Sequence, residues 1–248
     1  MNTTTTVPVS GDGPGHLLLT LDKDRTLGPA FRPWFMLQSR PGQEKIIRFG
    51  QYVEEFGPRI REQDGHEHRA SVSFLFTYAM MKLRKHVALD EGLLLRCINH
   101  HDEPEGIIGK DVIAPTKTDK DDLEEYLAFE SIYSELGDDV WPELQRAFLL
   151  QFCLTNPACF PDDARTIMGA LAKEKRNEAL FFDGVQRIDY LYYAYECHLR
   201  GVHKILHGVA VRQVEKLDRI AQELPGFQKE LWTARVSLFF KTATKLPA

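Results

Sequence analysis

Residues 97–117 read CINHHDEPEGIIGKDVIAPTK. Two adjacent histidines, His100 and His101, stand there with Asp102, Glu103, Glu105, Lys110, Asp111 and Lys117. Titratable groups rarely gather this densely over a helix exit and a loop without a cation or a phosphate to hold. Leu94, Cys97, Ile98 and His101 recur at the three-and-four spacing of one buried helical face, so the His101 imidazole is predicted to point inward. Pro104 disfavours helical geometry at Glu103 and has no backbone donor. The helix is therefore predicted to end at about Asp102, leaving a carboxylate beside that imidazole. His101-Asp102 reads as half of a metal site.

Working outward, Asp90 suits the N-cap of the helix that carries the pair, predicted from Asp90 to Asp102. A helix from about Glu67 to Lys85 precedes it, with His68, Val72, Leu75 and Ala79 on one face. Before that, GQEKIIRFGQYVEEFG (42–57) reads as a helix and PRIREQDG as a loop. Downstream, Asp119 to Leu136 forms a charged amphipathic helix with Leu123, Leu127, Phe129, Ile132 and Leu136 as its apolar set. Asp138 or Asp139 starts another, running to about Leu154. The next stretch carries its own proline punctuation and is expected to be an elaboration near 155–178, with a short helix starting at Pro161-Asp162-Asp163. An aromatic-rich helix from Phe182 to Leu199 follows, then helices near His203 to Leu224 and Phe227 to Thr244. No alternating strand pattern persists and no repeat appears, so the fold class is predicted to be all-α.

A chain of 248 residues can bury one substantial core, expected over residues 31–248 behind a flexible tail at 1–30 rich in Thr, Gly and Pro. Lys and Arg total 31 against 36 Asp and Glu, interspersed, for a net charge of −5. That balance does not suggest a nucleic-acid or membrane surface, although a small phosphate ester needs only local positive charge. The apolar run Leu17 to Leu21 is short and interrupted by Thr20, so neither a signal peptide nor a bilayer span is expected and the protein is read as cytoplasmic. Cys97, Cys153, Cys159 and Cys197 lack a C-x-x-C spacing and read as reduced thiols rather than zinc ligands.

The opening stretch resembles the HD domain superfamily of metal-dependent phosphohydrolases, most closely its 5'-deoxynucleotidase-like branch. The resemblance lies in His101-Asp102, Glu105, Gly109, Asp111, Pro115 and Lys117. That family typically runs H-D-x-x-E-x-x-x-G-D-x-x-x-P-x-K; the spacing from Asp111 to Lys117 is the same, while Lys110 is inserted before Asp111. Glu67-His68, followed by Val72 and Ser73, resembles the family's E-H-x-x-x-V-A helix opening and nominates His68 as first ligand, with His66 as rival. QRIDYLYYAYE resembles the closing helix and nominates Asp189, with Glu196 as a supporting group. On physical grounds too, an aspartate among Ile188, Tyr190, Leu191, Tyr192 and Tyr193 is costly to bury unless paired or metal-bound.

The resemblance implies an HD-domain helical bundle with additional C-terminal helices, holding one divalent ion on His68, His101, Asp102 and Asp189. Two imidazoles and two carboxylates suit an octahedral ion with open positions, and Mn, Co, Fe, Mg and Zn all qualify. Such an ion acidifies water and polarises a phosphoryl oxygen. The implied reaction removes the 5'-phosphate of a (deoxy)nucleoside monophosphate or a similar phosphomonoester, with Glu105 and Asp111 as the acid–base pair. Lys117 matches the family position for meeting phosphate, and Arg59, Arg61, Arg69 and Lys110 are candidates by sequence proximity. A homodimer is compatible with the apolar C-terminal helices. Two other readings stay open: a nucleotide-binding HD module without turnover, and an HD-fold di-iron oxygenase. The oxygenase needs further histidines; none lies between Asp102 and Asp189, so His198, His203 or His207 would have to fold back.

Overall fold

The computed structural model describes residues 50–60, 62–109 and 117–245. The expected tail at 1–30, most of the helix expected over 42–57, Arg61, the 110–116 loop with Lys110 and Asp111, and residues 246–248 lie outside the described residues. The helices are α1 Gly50–Phe56, α2 Gly65–Leu83, α3 Glu91–His100, α4 Glu103–Ile108, α5 Asp119–Tyr133 and α6 Trp141–Leu149. They continue with α7 Asp162–Glu174, α8 Arg176–Leu199, α9 His203–Glu223, α10 Phe227–Glu230 and α11 Ala234–Ala243. No strand occurs among the described residues, and the fold is all-α.

Short polar side chains set the helix starts. Asp64 accepts the Glu67 N–H at 2.8 Å and starts α2, Asp90 accepts the Leu93 N–H at 3.0 Å and starts α3, and Thr118 with Asp121 closes a capping box on α5. Asp90 also ties α3 to the start of α8, because Lys175 Nζ donates to its carboxylate at 2.8 Å and its own N–H donates to Glu178 at 2.9 Å. At the far end of α4, Gly109 takes φ of 81°, a left-handed value at which its N–H closes the helix on Glu105.

α8 and α9 lie along one another; α2 and α3 pack together and against α8, and α6 covers α3. The core between them is aromatic: Phe76 meets Phe181 and Phe182 of α8 at 5.5 Å, and Phe129 of α5 stacks on Phe148 of α6 at 4.2 Å. The segment expected as an elaboration joins this core through Phe160, Ala164, Met168 and Leu171. Cys97, Cys153 and Cys197 are buried among these side chains and Cys159 is exposed. No described helix is long and apolar enough to cross a membrane.

Three expectations need correction. Leu127 is exposed, and the inner face of α5 is built from Glu125, Tyr126, Phe129 and Tyr133. Two residues from Phe129, Leu127 cannot share its side of a helix. α6 starts at Trp141 rather than at Asp138 or Asp139, because the chain first turns at Gly137, where φ is 92°. The helix expected from Phe227 to Thr244 is broken at Leu231–Thr233. There Trp232 turns into the core so that its indole N–H can donate to Asp218 at 2.8 Å, and Thr233 caps the new helix α11.

Two mid-helix glycines should respond oppositely to alanine. A Cβ on Gly184 would lie 2.6 Å from the fully buried Phe227 ring, whereas one on Gly169 meets nothing within 4 Å. In urea unfolding, Gly184→Ala should lose about 1–3 kcal/mol and Gly169→Ala should gain about 0.5–1 kcal/mol. Unchanged or raised stability in Gly184→Ala would mean that α8 is not packed on Phe227 as described, and loss in Gly169→Ala would mean that α7 is not open there.

Candidate metal centre

His68 lies one turn into α2, on the face that continues through Val72, Phe76, Ala79 and Leu83, and is 1 % exposed. His66, its rival, is exposed in the first turn. α3 brings His101 to the same place as its C-cap residue, 4 % exposed, with the ring edge-on to Phe182 at 5.5 Å. Asp102 then leaves helical geometry at φ −101° and ψ 2°, and its carbonyl accepts the Glu105 N–H at 3.2 Å to start α4. Pro104 sits in the first turn of α4, where a missing N–H costs nothing. The helix exit expected at Asp102 is thus a two-residue joint between α3 and α4, and the ligand pair is that joint.

One oxygen organises the geometry. Asp102 Oδ2 lies 3.1 Å from His68 Nε2 and 3.1 Å from His101 Nε2. His101 Nδ1 is 2.7 Å from the Ile98 carbonyl, which can only accept, so that nitrogen carries the proton in the neutral ring. The lone pair is then on Nε2, which is buried, makes no hydrogen bond among the described residues and faces an acceptor oxygen. A lone pair against a carboxylate is repulsive unless a positive charge sits between them. Ligand atoms about 2.1 Å from one ion and at right angles stand about 3.0 Å apart, so the 3.1 Å spacings suit a shared cation. The buried His68, His101 and Asp102 group could hold a metal ion; it does not select which.

The expected fourth ligand, Asp189, stands next to this set rather than within it. Its Oδ2 lies 3.7 Å from His68 Nδ1, the nitrogen that does not face Asp102. At that distance the contact is an ion-pair spacing and not a hydrogen bond, on the side of the ring from which a carboxylate would orient a metal-bound histidine. Glu196, seven residues on, pairs with Arg200 at 2.9 Å.

Glu105 is buried in the first turn of α4. Lys117 feels its charge, but its ammonium is held by Glu125 at 2.7 Å and Asp122 at 3.2 Å. Burial works against the charge on Lys117, yet these two carboxylates outweigh it and hold its pKa above the ordinary lysine range. Burial pushes Glu125 up to about 7, against the pull of Lys117, and the charge of Asp102 adds to the rise. Arg59 is exposed and donates to the Phe56 carbonyl at 3.4 Å, and Arg69 lies 3.5 Å from Glu103. Arg61 and Asp111, expected on the substrate and as one of the acid–base pair, lie outside the described residues.

Sequence reading missed Glu125 and Glu103. Glu125 had a signal: it falls between Asp122 and Phe129 on the stripe that continues to Tyr133, a charge on an otherwise inward-facing helix side. Comparison of the chain with protein-family models, curated proteins and solved structures finds no match.

If the three groups share a cation, Mn²⁺ at about 100 times its dissociation constant should stabilise the folded chain by about 2.7 kcal/mol. His68→Ala, His101→Ala and Asp102→Asn should each remove that stabilisation, while His66→Ala should keep it. Thermal melts with and without Mn²⁺ read this directly, and loss in His66→Ala alone would move the ligand to the helix start.

Proposed function

We propose that this chain is an HD-type, metal-dependent phosphohydrolase that removes the 5'-phosphate of a (deoxy)nucleoside monophosphate or a similar small phosphomonoester. The observation that carries the proposal is the convergence of His68 Nε2 and His101 Nε2 on Asp102 Oδ2, from segments chosen by their resemblance to the family's motifs. In this reading His68, His101 and Asp102 hold one divalent cation, with Asp189 beside His68 as the fourth group of the site. A cation there supplies Lewis acidity toward water and toward a phosphoryl oxygen.

The chain's own residues supply the rest. Glu105 takes a proton as water oxygen attacks phosphorus, and the P–O ester bond breaks on the opposite side. By the resemblance, Asp111 returns a proton to the departing 5'-oxygen, so that a nucleoside and inorganic phosphate leave. Lys117 meets the phosphate charge, and phosphate must compete for its ammonium with Glu125 and Asp122, which hold it in the structure.

That pairing also favours a second reading, a nucleotide-binding module without turnover, because a lysine engaged by two carboxylates is a weaker anchor for a transition state. The oxygenase reading gains nothing from His198, His203, His100 or His86, each of which faces another partner. His198 and His203 face each other at 2.7 Å at the far end of α8, His100 faces Glu103 and His86 faces Glu230.

A panel of nucleoside mono-, di- and triphosphates with added Mn²⁺, Co²⁺ or Mg²⁺ tests the proposal. Phosphate release should be abolished by EDTA, and Glu105→Gln should lower kcat by about two orders of magnitude or more while keeping the metal. Tight nucleotide binding without release would favour the binding module, and iron-dependent oxygen consumption would favour the oxygenase.

A further inference from the structure

Glu103 has no part in the chemistry above, yet it is 2 % exposed beside the site. Its Oε2 lies 2.6 Å from His100 Nδ1 and accepts the Tyr133 hydroxyl at 2.5 Å, while its Oε1 lies 3.5 Å from Arg69 Nη1. Arg69 follows His68, His100 precedes His101 and Glu103 follows Asp102. The immediate neighbours of all three ligands thus meet on one buried carboxylate, and Tyr133 anchors that carboxylate to α5. Phe129 closes the group, with its ring 5.9 Å from that of His100 and 4.4 Å from that of Tyr133.

We infer that Glu103 is a positioning residue that joins Arg69, His100 and Tyr133 so that His68, His101 and Asp102 stay in register for a cation. The inference rests on the metal-centre reading above. With no cation between them, Asp102 Oδ2 and the His101 lone pair repel each other, and something must oppose their separation. The tie through Glu103 does so from behind: its contact with His100 spans the His101-Asp102 joint, the Arg69 pair holds α2 and His68 to that joint, and the Tyr133 hydrogen bond holds the joint to α5. Arg69, expected near phosphate, is instead engaged by this carboxylate. Groups hydrogen-bonded directly to a metal's ligands commonly set affinity by about 10–100-fold; Glu103 acts one step further out, through the chain neighbours of the ligands, so its effect belongs at about the lower end of that range.

Titration of the metal-free full chain with Co²⁺, followed by its visible absorption, tests this, with thermal melts of each metal-free variant run alongside. The unaltered chain should bind one ion. Glu103→Ala should bind it about 10-fold more weakly, with a changed absorption band. Glu103→Gln keeps an acceptor for Tyr133 and should recover most of the affinity, whereas Tyr133→Phe should lose affinity by a smaller factor. Should Glu103→Ala fail to fold, Tyr133→Phe and Arg69→Gln decide by the same readout. A lowered melting temperature with unchanged Co²⁺ affinity and spectrum would make the network merely structural and overturn the inference alone. Failure of the unaltered chain to bind Co²⁺ would remove the metal-centre reading and the inference with it.

Discussion

The constraint on which the site depends is electrostatic: two buried imidazole nitrogens and one carboxylate oxygen, with 3.1 Å from the oxygen to each nitrogen, where water is largely excluded. The His101 Nε2 lone pair and the Asp102 oxygen repel at that distance, and burial leaves little solvent to screen them. A structure that keeps them together either supplies a positive charge or resists the repulsion by packing. The helices do the second. α2 is pinned at its start by Asp64, α3 by Asp90, and Asp90 is bound in turn to Lys175 and Glu178 at the start of α8. Phe76, Phe181 and Phe182 fill the space between α2 and α8, and the edge of Phe182 fixes the His101 ring. The first is what a cation held there would do.

Around that centre the charge balance is acidic. Glu125, Asp122 and Glu105 all act on Lys117, whose ammonium is the common partner of Glu125 and Asp122, and the charge of Asp102 bears on Glu125. An anionic substrate approaching such a surface needs the added positive charge of a divalent ion, and this is the physical reason the metal and the phosphate belong to one proposal. Behind the centre, Glu103 gathers the residues next to each ligand, so one carboxylate links α2, the α3–α4 joint and α5.

Much of the fold was legible because apolar spacing and cap residues agree. Asp90, the stripe Leu94, Cys97, Ile98 and the proline at 104 place α3 and its exit within two residues of where the chain puts them. The preference for His68 over His66 was also legible, since His68 alone shares a face with Val72 and Ala79. What periodicity could not reveal was the partner of each polar group. The break at Trp232 follows from an indole N–H that needs Asp218, fourteen positions earlier on another helix. Leu127 and Phe129 are equally apolar, and only the ring stacking on Phe148 decides which one faces in. Glu103 reads as one more acidic residue in an acidic run; Arg69 and Tyr133, its partners, lie on other helices, with Tyr133 30 positions away in the chain. Asp189 was legible as a residue that must be satisfied, but its position on the Nδ1 side of His68 depends on how that ring is turned.

The central claim is that one cation is shared by two imidazoles and a carboxylate. X-ray absorption at the cobalt K edge, on the Co²⁺-loaded chain, tests it most directly. Two imidazole ligands, seen through their characteristic outer-shell scattering and lost one at a time in His68→Ala and His101→Ala, are the expected result. A shell of oxygens alone, unchanged by either substitution, would contradict it.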